Sequence, residues 1–534
     1  MKCRAHIIGL LVLALSGCQK GPASPSASEE PALKSIATSV RELRLEDGGS
    51  VGFEFSVVQT GYEFNYNVFS GDCQVSLVRT DGTPSRNFIL SGISPQTRPG
   101  TYKATVTDQK AAREYDESCQ LTLTSGQTKV STAMFRLVKV AVGGDKEEAV
   151  KTGLPVITLN TSGPIVSKTT WVSGKISIDG VDSYPDLAEM ACEVRGRGNT
   201  TWRWPKKPYT IKLESKTSVL GMPKHKRWVL LSNFMDRTLQ RNLVALHIGA
   251  GSRLAWTPRY VPVELVLNGI HYGQFLLTEQ IRVDKNRVNV AEMSTADNSG
   301  EAVTGGYLLE LDFHFDNEIQ WKDHDIPFAV KYPDEEDATP EQVEYIKDYV
   351  AKTAEALYGE DFCDPEKGYA AWIDTDSFVE YWLVNEVMGN HELGNPGSVF
   401  MHKDRGGKLV AGPIWDFDFG TLSYKVRPDM KTSLLNVSAY WYNRLFQDPA
   451  FRRKVLDRYL EMLPELEKIP DFMAQTEEFL QRSAIVNFSI WNPAEDGIIN
   501  DDETLTYGAA CERLREIFKE RLNIMSAALE DMNE

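Results

Sequence analysis

Two carboxylates stand two residues apart in Gly412-Pro-Ile-Trp-Asp416-Phe-Asp418. If that segment is extended, both point to one side of the chain. Same-side carboxylates repel unless a cation lies between them, and hard oxygen donors suit Mg2+, Mn2+ or Ca2+. An acidic turn capped by backbone amides gives the same spacing. A glycosidase reading rests on this pair alone, and adjacent carboxylates suit a metal better than the separation that sugar hydrolysis needs. Just upstream, Glu386, Asn390, His391, Glu392, Asn395 and Ser398 gather at the end of an apolar segment.

Three further clusters carry charge. In Arg195-Gly-Arg-Gly-Asn-Thr-Thr-Trp202 and Lys206-Lys-Pro-Tyr-Thr-Ile-Lys212-Leu213, glycines permit close backbone approach and cations neutralise phosphate oxygens. A Gly-Asn turn between strands produces the same letters. A helix starting near Asp236 places Arg237 and Arg241 on one face, either to clamp an anion or to form surface ion pairs. Glu279 leaves an apolar strand and is a candidate partner for a buried lysine.

The elements that position these groups fall into two regions. Residues 33–145 read as short strands: Val51–Val57, Tyr62–Phe69, Gln74–Val78, Phe88–Ile93, Tyr102–Val106, Gln120–Thr124 and Met134–Val140. Tyr102–Val106 and Gln120–Thr124 alternate at period two, and Asp81-Gly82 and Pro99-Gly100 supply turns. This spacing predicts an immunoglobulin-like β-sandwich, with a linker at Val142–Asp145. From 155 to 332 strands still dominate, with a hairpin at Asn268-Gly269. From 333 to 534 the period becomes helical. Thr339-Pro-Glu-Gln342 is a capping box, and Asp374–Met388, Phe451–Leu463, Asp471–Arg482 and Glu512–Met532 are predicted helices. The class is α+β, with a β-rich and then an α-rich lobe and a cleft between them.

The chain has 534 residues, 42% hydrophobic and 25% charged, which supports several packed cores. Its 58 basic and 75 acidic residues give a net charge of −17 without a long basic tract, so nucleic acid is excluded as a partner. Lys2 and Arg4, an apolar run from Ile7 to Leu15, and Leu15-Ser-Gly-Cys18 read as a signal peptide over residues 1–17 with a bacterial lipobox. Cys18 is the expected lipidation site. Residues 18–32 are then a flexible tether at the outer membrane or cell surface. Of seven cysteines, five lie beyond the export signal without a CxxC pair, which argues against zinc. Cys73–Cys119 is the preferred disulfide.

Read in order, these strings resemble the spore-coat CotH family. They include Arg197-Gly-Asn-Thr-Thr-Trp, Lys206-Lys-Pro-Tyr-Thr-Ile-Lys-Leu, Leu220-Gly-Met-Pro, Trp228-Val-Leu-Leu-Ser-Asn and Leu239-Gln-Arg-Asn. Asn268-Gly-Ile-His-Tyr-Gly, Leu277-Thr-Glu-Gln, Leu309-Glu-Leu-Asp312 and Gly412-Pro-Ile-Trp-Asp-Phe-Asp418 continue the match, from about 155 to 530. The resemblance implies a secreted atypical protein kinase over residues 155–534. It gives Lys212 nucleotide phosphates with Glu279 as ion-pair partner, and Arg195 and Arg241 further phosphate contacts. Asp416 would hold the metal with Asp418 assisting, so the cofactor is ATP with Mg2+ or Mn2+. Where the family commonly has an aspartate to orient the acceptor hydroxyl, this chain has His391 and Glu392. The implied partner is a cell-envelope or secreted protein. The rival is an inactive kinase-like lipoprotein in adhesion, with glycan contact through the N-terminal domain.

Overall fold

The computed structural model describes residues 32–45, 49–60, 69, 73–85, 87–109, 115–139, 149–315, 319–491, 500 and 505–534. The signal segment, Cys18, the tether through residue 31, the Val142–Asp145 linker and most of the expected Tyr62–Phe69 strand lie outside these residues. The chain is α+β, with strands concentrated toward the N-terminus and helices toward the C-terminus. It divides into two compact units, Met1–Gly144 and Asp145–Glu534.

In the first unit, β1 (Ala32–Ala37), β2 (Glu42–Leu45), β3 (Ser50–Thr60), β4 (Gln74–Arg79), β5 (Phe88–Pro95), β6 (Thr101–Asp108), β7 (Tyr115–Ser125), β8 (Thr128–Ser131) and β9 (Phe135–Lys139) form two sheets. Their orders are β1-β3-β6-β5 and β2-β9-β7-β4, with β8 paired to β7. Alternation buries Tyr102, Ala104 and Val106 of β6 and Cys119, Leu121 and Leu123 of β7 in one shared core.

The expected Cys73–Cys119 disulfide is absent, and both are free thiols. The β4–β7 register explains why. Gln74 faces Thr124 while Cys119 faces Arg79. The two cysteines therefore lie near opposite ends of the pair, about 20 Å apart at ~3.4 Å per residue. A disulfide needs Cα atoms within about 7 Å.

The second unit contains a closed barrel, β10-β11-β12-β13-β14-β16-β15. Its strands are β10 (Val156–Thr161), β11 (Val172–Asp179), β12 (Leu187–Gly196), β13 (Tyr209–Val219), β14 (Met222–Leu231), β15 (Tyr260–Leu267) and β16 (Ile270–Glu279). The β15–β16 turn uses Asn268 (φ 51°) and Gly269 (φ 87°), as a type I′ hairpin requires. A second sheet, β18-β19-β17-β20-β21, joins β17 (Tyr307–Leu311), β18 (Gln320–Asp323) and β19 (Ile326–Tyr332) to β20 (Val399–Lys403) and β21 (Leu409–Ala411). The helical period expected from 333 to 534 does not foresee the β20–β21 hairpin that interrupts it. All five residues of β20 are buried, so it lacks the alternation that betrays a strand.

Seven helices are described: α1 (Arg241–Ala250), α2 (Pro340–Tyr358), α3 (Thr375–Val387), α4 (Tyr442–Leu445), α5 (Pro449–Leu466), α6 (Ile469–Ile490) and α7 (Tyr507–Asn533). The capping box at α2 closes as its letters predict: Gln342 N–H donates to Thr339 Oγ1 at 3.3 Å and Thr339 N–H to Gln342 Oε1 at 3.0 Å. Helix α3 is buried nearly all round, with Phe378, Trp382, Leu383 and Val384 at 0% exposure, and forms the centre of the largest core. No helix among the described residues is long and apolar enough to cross a membrane.

Candidate functional site

Three chain segments bring acids together. Strand β17 carries Glu310 and is followed directly by Asp312, the turn after α3 carries His391 and Glu392, and the segment after β21 carries Asp416 and Asp418. Phe313 N–H donates to Pro396 O at 2.8 Å, tying the first two segments together. A Cβ at Gly397 would come within 2.9 Å of Glu392 Oε2, so only glycine leaves that carboxyl its place.

Asp416 and Asp418 do meet, but not through strand alternation. Asp416 sits in the left-handed region at φ 65°, so the segment is not extended there. Its conformation is held by neighbours. Phe417 N–H donates to Asn242 Oδ1 at 2.8 Å, and Asn500 Nδ2 donates to Asp418 O at 3.2 Å while accepting Gly420 N–H at 3.0 Å through Oδ1. Asp418 is buried and its carboxyl is pushed well above the usual range, first by burial and then by the charge of Asp416. Burial and the charges of Asp416, Asp418, Asp312 and Glu310 push Glu392 up to about 9. Burial likewise raises Glu310, whose Oε2 lies 3.1 Å from Lys331 Nζ. His391 Nε2 lies 3.4 Å from Glu392 Oε1, and burial lowers its pKa, which favours the neutral imidazole.

Cations approach from the barrel. Register puts Glu193, Lys212 and Arg227 in one row across β12, β13 and β14, and Arg195, Thr210 and Val229 in the row beside it. Directly paired residues share a sheet face. On that face Arg195, Arg227 and Lys212 surround the Trp171 ring at 4.6, 4.8 and 5.8 Å from its centroid. Val229, in the second row, packs in one apolar cluster with Leu308, Phe400 and Trp415. The basic face therefore runs onto the residue preceding Asp416. Arg197 sits at the junction, 5.1 Å over the Trp415 ring, with its charge facing Asp416, Glu310 and Asp418.

Several expected roles are redistributed. Lys212 Nζ pairs with Glu193 at 2.8 Å, not with Glu279. Glu279 faces Trp228 in register, and Trp228 lies on the opposite sheet face from Arg227 and Lys212. Its partners are Arg259, at 3.1 Å, and Arg287, at 3.6 Å, rather than a lysine. Arg241 opens α1 instead of following Arg237 within a helix. It is buried on Asp236 at 2.6 Å and donates to Thr421 O at 2.7 Å, so it braces the 416–421 segment and cannot face a phosphate. Arg237 donates to Leu505 O at 3.0 Å. Glu386 is a core acid that pairs with Arg521. Arg195 and Lys212 stay together on the Trp171 face, and Asp416, Asp418, His391 and Glu392 stay together on the acidic side.

Sequence reasoning passed over Arg197, Arg227, Trp171, Glu310 and Asp312 as functional groups. Glu310 and Asp312 were visible inside the Leu309-Glu-Leu-Asp string, and Arg197 stands two residues from the arginine that was chosen. The intervening Gly196 makes room for protein, not ligand: a Cβ there would strike the Trp202 ring at 2.2 Å.

No group of three or more His, Cys, Asp or Glu among the described residues is arranged to hold a metal ion unaided. Two neighbouring acids, Asp416 and Asp418, nevertheless suit Mg2+, which takes one or two carboxylates and completes its shell with phosphate oxygens and water. The donor set fits a cation that arrives with a polyphosphate.

A family model described as CotH kinase protein matches residues 194–525. Among solved structures, a chain described as a marsupial T cell receptor is similar at 13% identity over 33% of this chain and 90% of that one, with a TM-score of 0.15, too low to bear on the fold. No curated protein matches.

Proposed function

Because the chain belongs to the CotH kinase protein family, we propose that it transfers the γ-phosphoryl group of ATP, bound with Mg2+ or Mn2+, to a serine or threonine hydroxyl of a protein. The juxtaposition of a Trp171-centred basic face with the Asp416–Asp418 pair, joined at Arg197, carries this reading. The metal-bound nucleotide supplies the phosphoryl group and the charge that offsets it. Arg195, Lys212, Arg227 and Arg197 neutralise phosphate oxygens, and Asp416 and Asp418 hold the cation. As the phosphorus–oxygen bond to the acceptor forms and that to ADP breaks, the hydroxyl proton goes to neutral His391 or to Glu392 in its ionised form.

The barrel with its helical continuation supports a two-lobed kinase-like layout, and the two sheets over one core support an immunoglobulin-like spacer. Export and lipidation at Cys18 complete the proposal, with an envelope or secreted protein as acceptor. A Cys18→Ala chain that stays with membranes would remove the anchor from it.

One observation favours a second reading, a kinase-like binding protein without catalysis. Glu392, standing for an aspartate, holds its proton up to about 9 and is a poor base at neutral pH. The two readings separate on the full chain incubated with γ-labelled ATP and Mg2+ or Mn2+. The kinase reading expects label on protein, lost in Asp416→Ala. No label and no nucleotide-dependent thermal shift with either metal would leave the binding protein.

A further inference from the structure

In the first unit a charged pair crosses the apolar interior between the two sheets. Lys139 ends β9, in one sheet, and Asp108 ends β6, in the other. Lys139 Nζ lies 2.7 Å from Asp108 Oδ2, and each side chain is 1% exposed. Alternation along β6 puts Asp108 on the face of Tyr102, Ala104 and Val106, and alternation along β9 puts Lys139 on the face of Phe135 and Leu137. All five of those neighbours belong to the shared core. The pair therefore bridges the two inner faces of the sandwich.

Lys139 has another acid on its own sheet face. Leu137 pairs with Glu117 in register and Lys139 with Tyr115, so Glu117 is the diagonal neighbour of Lys139. That carboxyl is already engaged. Its Oε1 lies 3.2 Å from Arg79 Nε, and its Oε2 accepts from Asn87 Nδ2 at 3.1 Å and from Ser85 Oγ at 3.2 Å. Among the described residues it is Asp108, from the facing sheet, whose carboxyl touches the amine.

A primary amine held against a carboxyl and shielded from water is the arrangement from which an amide forms. Two desolvated charges are costly to keep. A proton passed from Nζ to the carboxylate leaves a neutral amine and a neutral acid. The Nζ lone pair then attacks Cγ, the bond from Cγ to the hydroxyl oxygen breaks, and the hydroxyl departs with a second amine proton as water. One carbon–nitrogen bond forms, one carbon–oxygen bond breaks, and nothing is oxidised or reduced, so no co-reactant is needed. The amide that remains carries one donor and one acceptor in place of two full charges.

We infer that Lys139 and Asp108 are a self-modification site, at which the two side chains condense to an intramolecular amide that cross-links the sheets. This unit has Cys73 and Cys119 as free thiols, and the amide gives it a covalent tie that needs no oxidant. The test is peptide mapping of the full chain by mass spectrometry after denaturation and trypsin digestion. We expect the segments that carry Asp108 and Lys139 to emerge as one branched peptide, lighter than their sum by one water, with no cleavage after Lys139. Asp108→Asn should give the same branched peptide, with ammonia leaving in place of water. Asp108→Ala and Lys139→Arg should give linear peptides of full mass.

Linear peptides of full mass from the unaltered chain overturn the proposal and leave Lys139 and Asp108 as a buried ion pair. So does loss of water at Asp108 while Lys139 stays cleavable, which is closure of Asp108 onto its own backbone. A branched peptide that persists in Asp108→Ala also overturns it, by giving Lys139 a different acyl partner. The unaltered chain decides the question even if the alanine variant fails to fold. The bond neither requires phosphotransfer nor bears on it.

Discussion

The carboxyl of Asp418 is buried beside that of Asp416, and burial, then the neighbouring charge, pushes it well above the usual carboxylate range and favours a proton on it. That proton is held by burial and by mutual repulsion, and a divalent cation competes for the same oxygens. Adding Mg2+ or Mn2+ with ATP should therefore raise the melting temperature and release protons. Calorimetry in buffers of different ionisation enthalpy reads the proton count directly. At ~100 times its dissociation constant the ligand should add about 2.7 kcal/mol. Asp416→Ala should lose both signals, and a shift that persists in it would place the cation elsewhere.

A second prediction concerns pH. Lys206 is fully buried, donates to Gln274 O and, at 2.8 Å, to Asn487 Oδ1, and burial pushes its pKa down to about 7. The unfolded lysine titrates near 10.4. Between those values the unfolded chain binds more protons, so this group's contribution to stability rises with pH, by up to ~1.4 kcal/mol per unit. It is fully present above pH ~10.4 and is lost as pH falls toward about 7. Subtracting urea-unfolding free energies of Lys206→Met from those of the unaltered chain should isolate this slope. A flat difference across that window would show that Lys206 is not desolvated.

Glu386 illustrates an acid near the site with a purely structural task. Its carboxylate accepts from Asn436 N–H at 3.0 Å and Asn436 Nδ2 at 2.9 Å and pairs with Arg521, both side chains at 0% exposure. Removing one partner leaves a buried charge uncompensated, so Glu386→Ala or Arg521→Ala should cost about 3–5 kcal/mol in chemical denaturation. Replacing both together by apolar residues of similar volume should cost less. A loss below ~1 kcal/mol for either single change would mean that water reaches the pair.

What could be read from letters was what local chemistry decides. The Thr339 capping box and the Asn268-Gly269 hairpin are set by residues within a few positions, and both closed as their types predict. Segments of continuous apolar character resisted reading, as β20 shows. The Lys212–Glu279 pairing failed for a different reason. Which face a strand residue takes is legible, but whether two residues two strands apart in the barrel share it depends on register, and here the row through Arg227 and the row through Trp228 fall on opposite faces. The extended backbone expected at Asp416 and Asp418 is not the one observed, because a left-handed aspartate is favoured by tertiary partners such as Asn242 that the local string does not contain.

The redistribution of basic residues yields the last prediction, since Lys212 and Arg241 now fall into opposite classes. The Lys212–Glu193 pair is 37% and 41% exposed, so Lys212→Ala should change stability by less than ~1 kcal/mol. It should nonetheless reduce the ATP-dependent thermal shift, and Arg227→Ala, beside the same Trp171 ring, should do likewise. Arg241→Ala strips Asp236 of a partner at 1% and 0% exposure and should destabilise the chain by about 3–5 kcal/mol. The comparison is made by pairing urea unfolding without ligand with thermal shifts at saturating ATP and Mg2+. If Lys212→Ala left the nucleotide shift intact while Arg241→Ala abolished it in still-folded protein, phosphate would be bound on the α1 side of the 416–421 segment. The Trp171 face would then have no part in catalysis.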